Sequence, residues 1–232
     1  MKTQIKELID EFINFDKSIK PELEAIILCG SHANGLATDH SDIDLCCIGN
    51  FKEFRREYRT FQDYEFQLMI APWEWYHEVI STYERKGNIG TITSMLANGI
   101  CWWSSNETRW SALKEEAIKF FGQGPTPVST DEILRIRRRI TELYNNFIDE
   151  VDELTSKWIK NQIMTVCVEA HFTIRNWWAV KTKYQINVLR DLDPEFVRFI
   201  EESINNDKAV KKLCNYILNP VGGLILSKKE DL

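Results

Sequence analysis

The order of apolar and polar residues predicts one helix and three strands near the start of the chain. Apolar residues recur at the spacing of a helix with one buried stripe at Ile5, Leu8, Ile9, Phe12 and Ile13. Residues 25–28 form a short apolar run that stops at Gly30, as a strand buried on both faces does. Further strands are predicted at 42–48 and at 64–70, where Pro72 closes the run.

Two of these strands carry acidic residues on one face. Successive side chains of a strand point to opposite faces, so Asp42 and Asp44 share one face of the second strand. In the third strand the same rule groups Glu65 with Gln67. Two carboxylates therefore point the same way on one strand, and a third acid lies on another strand.

The following residues are predicted to be mostly helical. The charged segment 52–60 is predicted to form a helix because it lacks a strand-like alternation. Most of residues 73–121 also have a helical pattern, with stops at Gly87 and Gly99 and a strand-like piece at 100–103.

A domain boundary is predicted at 122–130, where two glycines and two prolines form the densest cluster of helix breakers in the chain. This divides the chain into domains at 1–122 and 130–232. The second domain is predicted to be helical. Its first helix is capped by Thr130 with an apolar stripe reaching Val151 and Leu154, and others run at about 157–181, 194–205 and 207–218.

Composition narrows the range of partners. The 29 Lys and Arg residues against 35 Asp and Glu give a net charge of −6, which argues against binding duplex nucleic acid or an anionic membrane by charge alone. Several of the six cysteines lie in apolar runs, none forms a Cys-x-x-Cys pair, and the N-terminal residues have no apolar leader. We therefore expect a cytoplasmic protein.

The candidate chemistry centres on Gly30 and Ser31, which are followed after ten residues by Asp42 and Asp44. Glycine allows the backbone to come close to a ligand, and the hydroxyl and N–H of a serine in a short helical turn favour an anion such as a triphosphate. Two carboxylates that converge on one point suit Mg²⁺ shared with phosphates. A third carboxylate, at Glu65, would complete a two-metal site for an in-line displacement.

The string LCGSHANGLATDHSDIDLCCI, residues 28–48, resembles the signature of the DNA polymerase beta-like nucleotidyltransferase superfamily. It is most similar to the branch that includes aminoglycoside and lincosamide nucleotidyltransferases and minimal nucleotidyltransferases. The resemblance implies an α/β (α+β) catalytic domain with a small mixed sheet, followed by an all-α helical bundle that contacts the acceptor. The segment YEFQLMIAPW is similar to the strand that carries the third acid of the family.

For the residues, the resemblance implies that Asp42, Asp44 and Glu65 are catalytic and hold Mg²⁺, and that Gly30 and Ser31 bind the nucleotide. The NTP, with ATP expected, would give its nucleoside monophosphate to a hydroxyl of a small-molecule acceptor, aminoglycosides being one class. Glu169 in the helical domain is a candidate base on the acceptor side. Some relatives form homodimers, and a homodimer is therefore compatible with the resemblance.

Three alternatives stay open from the sequence. Asp63 precedes Glu65 by two residues and is the other candidate for the third acid. The acceptor could be a protein, as for antitoxins of the minimal branch. A catalytically silent nucleotide-binding module is the third alternative, because many relatives have basic residues at the positions of His32 and Asn34.

Overall fold

A computed structural model describes residues 3–16 and 18–225. By its internal contacts the chain divides into two compact units, Met1–Pro125 and Thr126–Leu232. The two predicted domains also include the chain ends, which lie outside the described residues. Their separate roles in catalysis and acceptor binding stay predictions.

The first unit is built on a mixed sheet with strand order β3-β4-β2-β1-β5. Its elements begin with α1 (Thr3–Phe15), β1 (Leu23–Leu28), the single turn α2 (Gly30–Ala33), β2 (Ile43–Gly49), β3 (Arg55–Phe61) and β4 (Tyr64–Ala71), and β5 (Ile100–Ser104) follows later in the chain. β2 and β4 are parallel, whereas the other neighbouring strands are antiparallel. The expected small mixed sheet is confirmed.

Both faces of the sheet are covered, which explains why β2 is buried along its whole length. On one face, Leu45 and Cys47 pack in a cluster with Phe12 of α1. On the other face, Cys46 packs in a cluster with Trp73. Asp44 shares this second face with Cys46, so the predicted alternation along β2 is confirmed.

The helix predicted at 52–60 is wrong, because this segment contains most of strand β3. β3 lies at the edge of the sheet, where its charged side chains reach water and the apolar alternation of a buried strand is not needed. A two-residue turn joins β3 to β4, with positive φ angles of 48° at Gln62 and 65° at Asp63. Such turns match the twist of the two strands they join. The turn therefore sets the pairing of β3 with β4.

Helices cover much of the chain after β4, as expected from the sequence. They are α3 (Trp73–Glu78), a π-helical segment (Val79–Tyr83), α4 (Glu84–Gly87), α5 (Thr91–Asn98) and α6 (Glu107–Gln123). The predicted stops near Gly87 and Gly99 and the strand-like piece at 100–103 are confirmed.

Glu84 holds the start of α5 from inside the first unit. Its carboxylate accepts hydrogen bonds from the backbone N–H groups of Ile92 at 2.7 Å and Thr93 at 2.6 Å, and from the Thr93 hydroxyl at 2.7 Å. Burial raises the pKa of the Glu84 carboxyl, and these hydrogen bonds counter part of that shift. A buried acid thus satisfies donors that a helix start leaves without intrahelical partners.

The second unit is a helical bundle, in agreement with the expected fold class. Its helices are α7 (Thr130–Asp149), α8 (Glu153–Ile174), α9 (Thr182–Leu192), α10 (Pro194–Asn205) and α11 (Asp207–Leu218). Its core joins Ile140 of α7, Cys167 of α8, Phe196 of α10 and Leu213 of α11. Among the described helices of the chain, none is both long and apolar enough to cross a membrane.

Several boundaries of this bundle differ from those predicted. Ser129, rather than Thr130, caps α7, because its side chain accepts a hydrogen bond of 3.2 Å from the N–H of Glu132. α7 ends at Asp149, so Val151 and Leu154 leave the apolar stripe and are 97% and 78% exposed. Helix α9 was not predicted, and α8 ends seven residues before the predicted limit of 181.

We expect Glu84→Gln to lower the free energy of unfolding by about 2 kcal/mol, since an amide keeps one acceptor oxygen and turns an NH₂ group towards backbone donors. Urea denaturation followed by circular dichroism measures this loss. The matched control is Glu115→Gln on the exposed side of α6, which should change stability by about 0.5 kcal/mol or less. Equal stability of the two variants would contradict the capping role.

Candidate active site

Asp44 is a buried acid on β2, with 4% of its surface exposed. Its Oδ1 accepts a hydrogen bond of 2.7 Å from Nε2 of Gln67 on β4. The parallel register of β2 and β4 places these two residues directly opposite each other. Because burial penalises an unpartnered charge, this hydrogen bond helps to keep the carboxylate in place.

The turn that contains Gly30 lies against the same carboxylate. Gly30 has a positive φ of 64°, and a Cβ atom at this position would lie 2.0 Å from Oδ2 of Asp44. The backbone N–H of Cys29 also donates to the carbonyl oxygen of Asp44 at 2.8 Å. Ser31, in the first turn of α2, is half-buried. The structure therefore brings Gly30 and Asp44 together, and nucleotide binding by Gly30 and Ser31 stays a prediction.

Asp42 and Glu65 line one cleft of about 1150 Å³. Asp42 is half-buried just before β2, and Glu65 is exposed near the start of β4. The other walls are the loop after α2, the turn that joins β3 to β4, and Ile5 of α1. Asp63, the other candidate for the third acid, lies in that turn and lines the same cleft.

The cleft has a negative character. Its described lining includes four carboxylates and two histidines, but no lysine or arginine: Asp39, Asp42, Asp63, Glu65, His32 and His40. Carboxylates that face one cavity attract cations and repel each other when no cation is present. A cationic ligand, whether a metal ion or an amine, suits this lining.

The donors around Asp42 fit a divalent cation in their chemistry. Hard oxygen ligands suit Mg²⁺, which proteins usually hold through one or two carboxylates together with substrate phosphates. Within the described part of the chain, no group of three His, Cys, Asp or Glu side chains is arranged to hold a metal ion. Metal binding by Asp42, Asp44 and Glu65 therefore stays a prediction.

Glu169, the candidate acceptor-side base, lies on α8 of the second unit and is exposed. Its backbone carbonyl accepts a hydrogen bond of 2.9 Å from the hydroxyl of Thr173, one turn later. Its part in the reaction stays a prediction.

Two residues that hydrogen bonds link to Asp44 in series were not singled out from the sequence. Gln67 makes the hydrogen bond described above, and its Oε1 accepts a second one of 2.6 Å from Nη2 of Arg56 on β3. Alternation along β4 had already placed Gln67 on the face of Glu65. Arg56 could not be related to this face because its segment was predicted to be helical.

Comparison with known proteins adds to this geometry. Residues 6–86 match the nucleotidyltransferase domain family. Solved structures also match, among them a nucleotidyltransferase-like protein from Exiguobacterium sibiricum 255-15, with a TM-score of 0.42 and 13% sequence identity, covering 90% of this chain and 70% of that chain. No curated protein matches the chain.

The matched residues include the turn at Gly30 and the acids Asp42, Asp44 and Glu65. The chain therefore carries a nucleotidyltransferase domain of the polymerase beta-like type. The protein is a transferase, and its general reaction is the transfer of a nucleoside monophosphate.

We expect Gly30→Ala to destabilise the protein more than Gly35→Ala. Both glycines have positive φ angles, of 64° and 72°, so either alanine costs about 1 kcal/mol in backbone conformation. Only the Cβ at Gly30 would also collide with Asp44, because nothing lies within 4 Å of a Cβ at Gly35. Chemical denaturation should show a further loss of about 2 kcal/mol for Gly30→Ala. Equal losses would show that Asp44 moves aside freely.

Proposed function

We propose that the protein transfers a nucleoside monophosphate from an NTP, with ATP as the expected donor, to a hydroxyl of a small-molecule acceptor and releases pyrophosphate. The observation that carries this proposal is the close approach of Gly30 to the carboxylate of Asp44. It brings the turn expected to receive the triphosphate against an acid expected to hold a cation. The nucleotidyltransferase match over residues 6–86 supports the same reaction class.

In this proposal Asp42 and Asp44 hold Mg²⁺ together with phosphate oxygens of the NTP. When bound, the cation neutralises charge on the phosphates and on the departing pyrophosphate. Ser31 offers its hydroxyl and backbone N–H to the triphosphate from the first turn of α2. The side chains that hold the donor thus come from the β1–β2 connection and from β2 itself.

Glu65 acts in this proposal as the base for the acceptor. The acceptor oxygen forms a bond to the α-phosphorus, and the bond from that phosphorus to the oxygen that bridges it to the β-phosphorus breaks. Pyrophosphate leaves with the bridging oxygen, and the hydroxyl proton moves to the carboxylate of Glu65. Glu65 suits this role because it is exposed on the cleft that Asp42 also lines. Positioning of the two substrates supplies much of the remaining rate enhancement.

The charge of the cleft supports an acceptor that carries amino groups, such as an aminoglycoside-like molecule. Four carboxylates line the cleft, and its described lining contains no lysine or arginine. After a cation has bound near Asp42, the carboxylates of Asp39 and Asp63 still favour a positively charged partner. A neutral sugar would gain no such attraction.

We expect Asp44→Asn to lower the rate of transfer at least about a hundredfold, because an amide no longer supplies the negative charge that holds the cation. The measurement is pyrophosphate release from each common NTP with Mg²⁺ and a panel of aminoglycosides, lincosamides, simple sugars and nucleosides. Asp149→Asn, at the exposed end of α7, is the matched control and should retain wild-type activity. Full activity of Asp44→Asn would overturn the metal assignment.

We expect Asp63→Asn to raise KM for amine-bearing acceptors and to change kcat less, since the substitution removes one negative charge from the cleft wall. Asparagine tolerates the left-handed backbone at this position, where φ is 65°, so the turn should remain intact. Steady-state kinetics at several salt concentrations measures the effect, which should weaken as salt screens the charge. An unchanged KM would contradict recognition of the acceptor by charge.

A further inference from the structure

A chain of two hydrogen bonds links three neighbouring strands to the buried acid of the site. Arg56 on β3 donates from Nη2 to Oε1 of Gln67 on β4 at 2.6 Å. Gln67 donates from Nε2 to Oδ1 of Asp44 on β2 at 2.7 Å. Gln67 and Asp44 are each only 4% exposed, so water competes little for the second bond.

The chemistry of Arg56 fixes the direction of this chain. An arginine side chain can only donate hydrogen bonds, so the atom of Gln67 that faces it must be the carbonyl oxygen. The NH₂ group of Gln67 therefore points to Asp44 and can only donate. The guanidinium of Arg56 is also placed by Tyr58, whose ring centre lies 5.4 Å from its central carbon.

Gln67 occupies the position on β4 that lies directly opposite Asp44. A carboxylate there would place a second buried negative charge beside the first, and the two charges would repel each other unless a cation lay between them. An amide instead donates a hydrogen bond to Asp44 and adds no charge. Glu65 lies two residues earlier on β4, on the side of the cleft.

We propose that Gln67, oriented by Arg56, is a positioning residue that holds the carboxylate of Asp44 for the divalent cation. This inference rests on the proposed function, because it takes Asp44 as a cation ligand. Partners of metal ligands fix the orientation of the ligand, and their loss commonly weakens metal binding about tenfold to a hundredfold. Arg56 acts through Gln67, and its effect therefore requires that residue.

The test is calorimetric titration with a non-hydrolysable ATP analogue, with Mg²⁺ and again with EDTA in place of Mg²⁺. We expect Gln67→Met to weaken Mg²⁺-dependent binding about tenfold and to leave binding in EDTA unchanged. Arg56→Met should show a smaller loss, and Arg56→Lys, which still offers a donor, should lie closer to wild type. In the transfer assay, Gln67→Met should raise the half-saturating Mg²⁺ concentration and leave the acceptor KM unchanged.

The double variant distinguishes a chain from two separate contacts. Arg56→Met combined with Gln67→Met should bind no more weakly than Gln67→Met alone, because residues that act in series are not additive. Arg55→Met is the matched control, since Arg55 is the exposed neighbour on β3 and pairs with Glu57 instead. It should bind as wild type does.

Each outcome has a distinct meaning. Wild-type-like binding by both Gln67→Met and Arg56→Met would overturn this inference and leave the proposed function standing. Independent losses that multiply in the double variant would overturn the series arrangement and favour a direct contact of Arg56 with phosphate. Absence of Mg²⁺-dependent binding by the wild-type protein would overturn the proposed function and this inference together. If Gln67→Met fails to fold, Arg56→Met still decides, because Arg56 is exposed.

Discussion

The candidate site depends on the close approach of the Asp44 carboxylate to the backbone of Gly30, a residue without a side chain. Oδ2 of Asp44 lies 2.0 Å from the position that a Cβ of Gly30 would take, and the backbone N–H of Cys29 donates to the carbonyl oxygen of Asp44. β1, the turn of α2 and β2 are therefore joined at one point, although ten residues separate Ser31 from Asp42. An NTP held by that turn would therefore lie beside Asp44, and neither strand would have to move.

The acidic side chains around this contact fall into two groups that differ in burial. Asp44 is buried and receives a hydrogen bond from an amide, so its charge has a partner within the protein. The carboxylates that line the cleft lie closer to water, which lowers the energy of several like charges close together. The proposed function assigns the buried acid and Asp42 to the cation and the more exposed acids to the acceptor. Burial thus corresponds to the division of roles that we propose.

The sequence predicted the parts of this arrangement that follow from periodicity. Alternation along β2 and β4 placed Asp44 and Gln67 on their correct faces, because both strands are buried and each face has a constant environment. It failed for β3, whose exposed edge position removes the apolar signal and leaves a charged segment that also suits a helix. The partnership of Gln67 with Asp44 depends on strand register, which one sequence does not specify. Likewise, the predicted apolar stripe of the first helix in the second domain included Val151. In the structure α7 ends at Asp149, and Val151 is exposed.

The turn at Gln62 and Asp63 sets the strand register next to the site. Because it contains two residues, it fixes which residue of β3 faces which residue of β4, and Tyr58 consequently lies opposite Gln67. Lengthening the turn by one residue would slide β3 and turn Arg56 to the other face of the sheet. The hydrogen bond from Arg56 to Gln67 would then be lost, although Arg56, Gln67 and Asp44 would themselves be unchanged. The length of a surface turn is therefore part of the geometry around the buried acid.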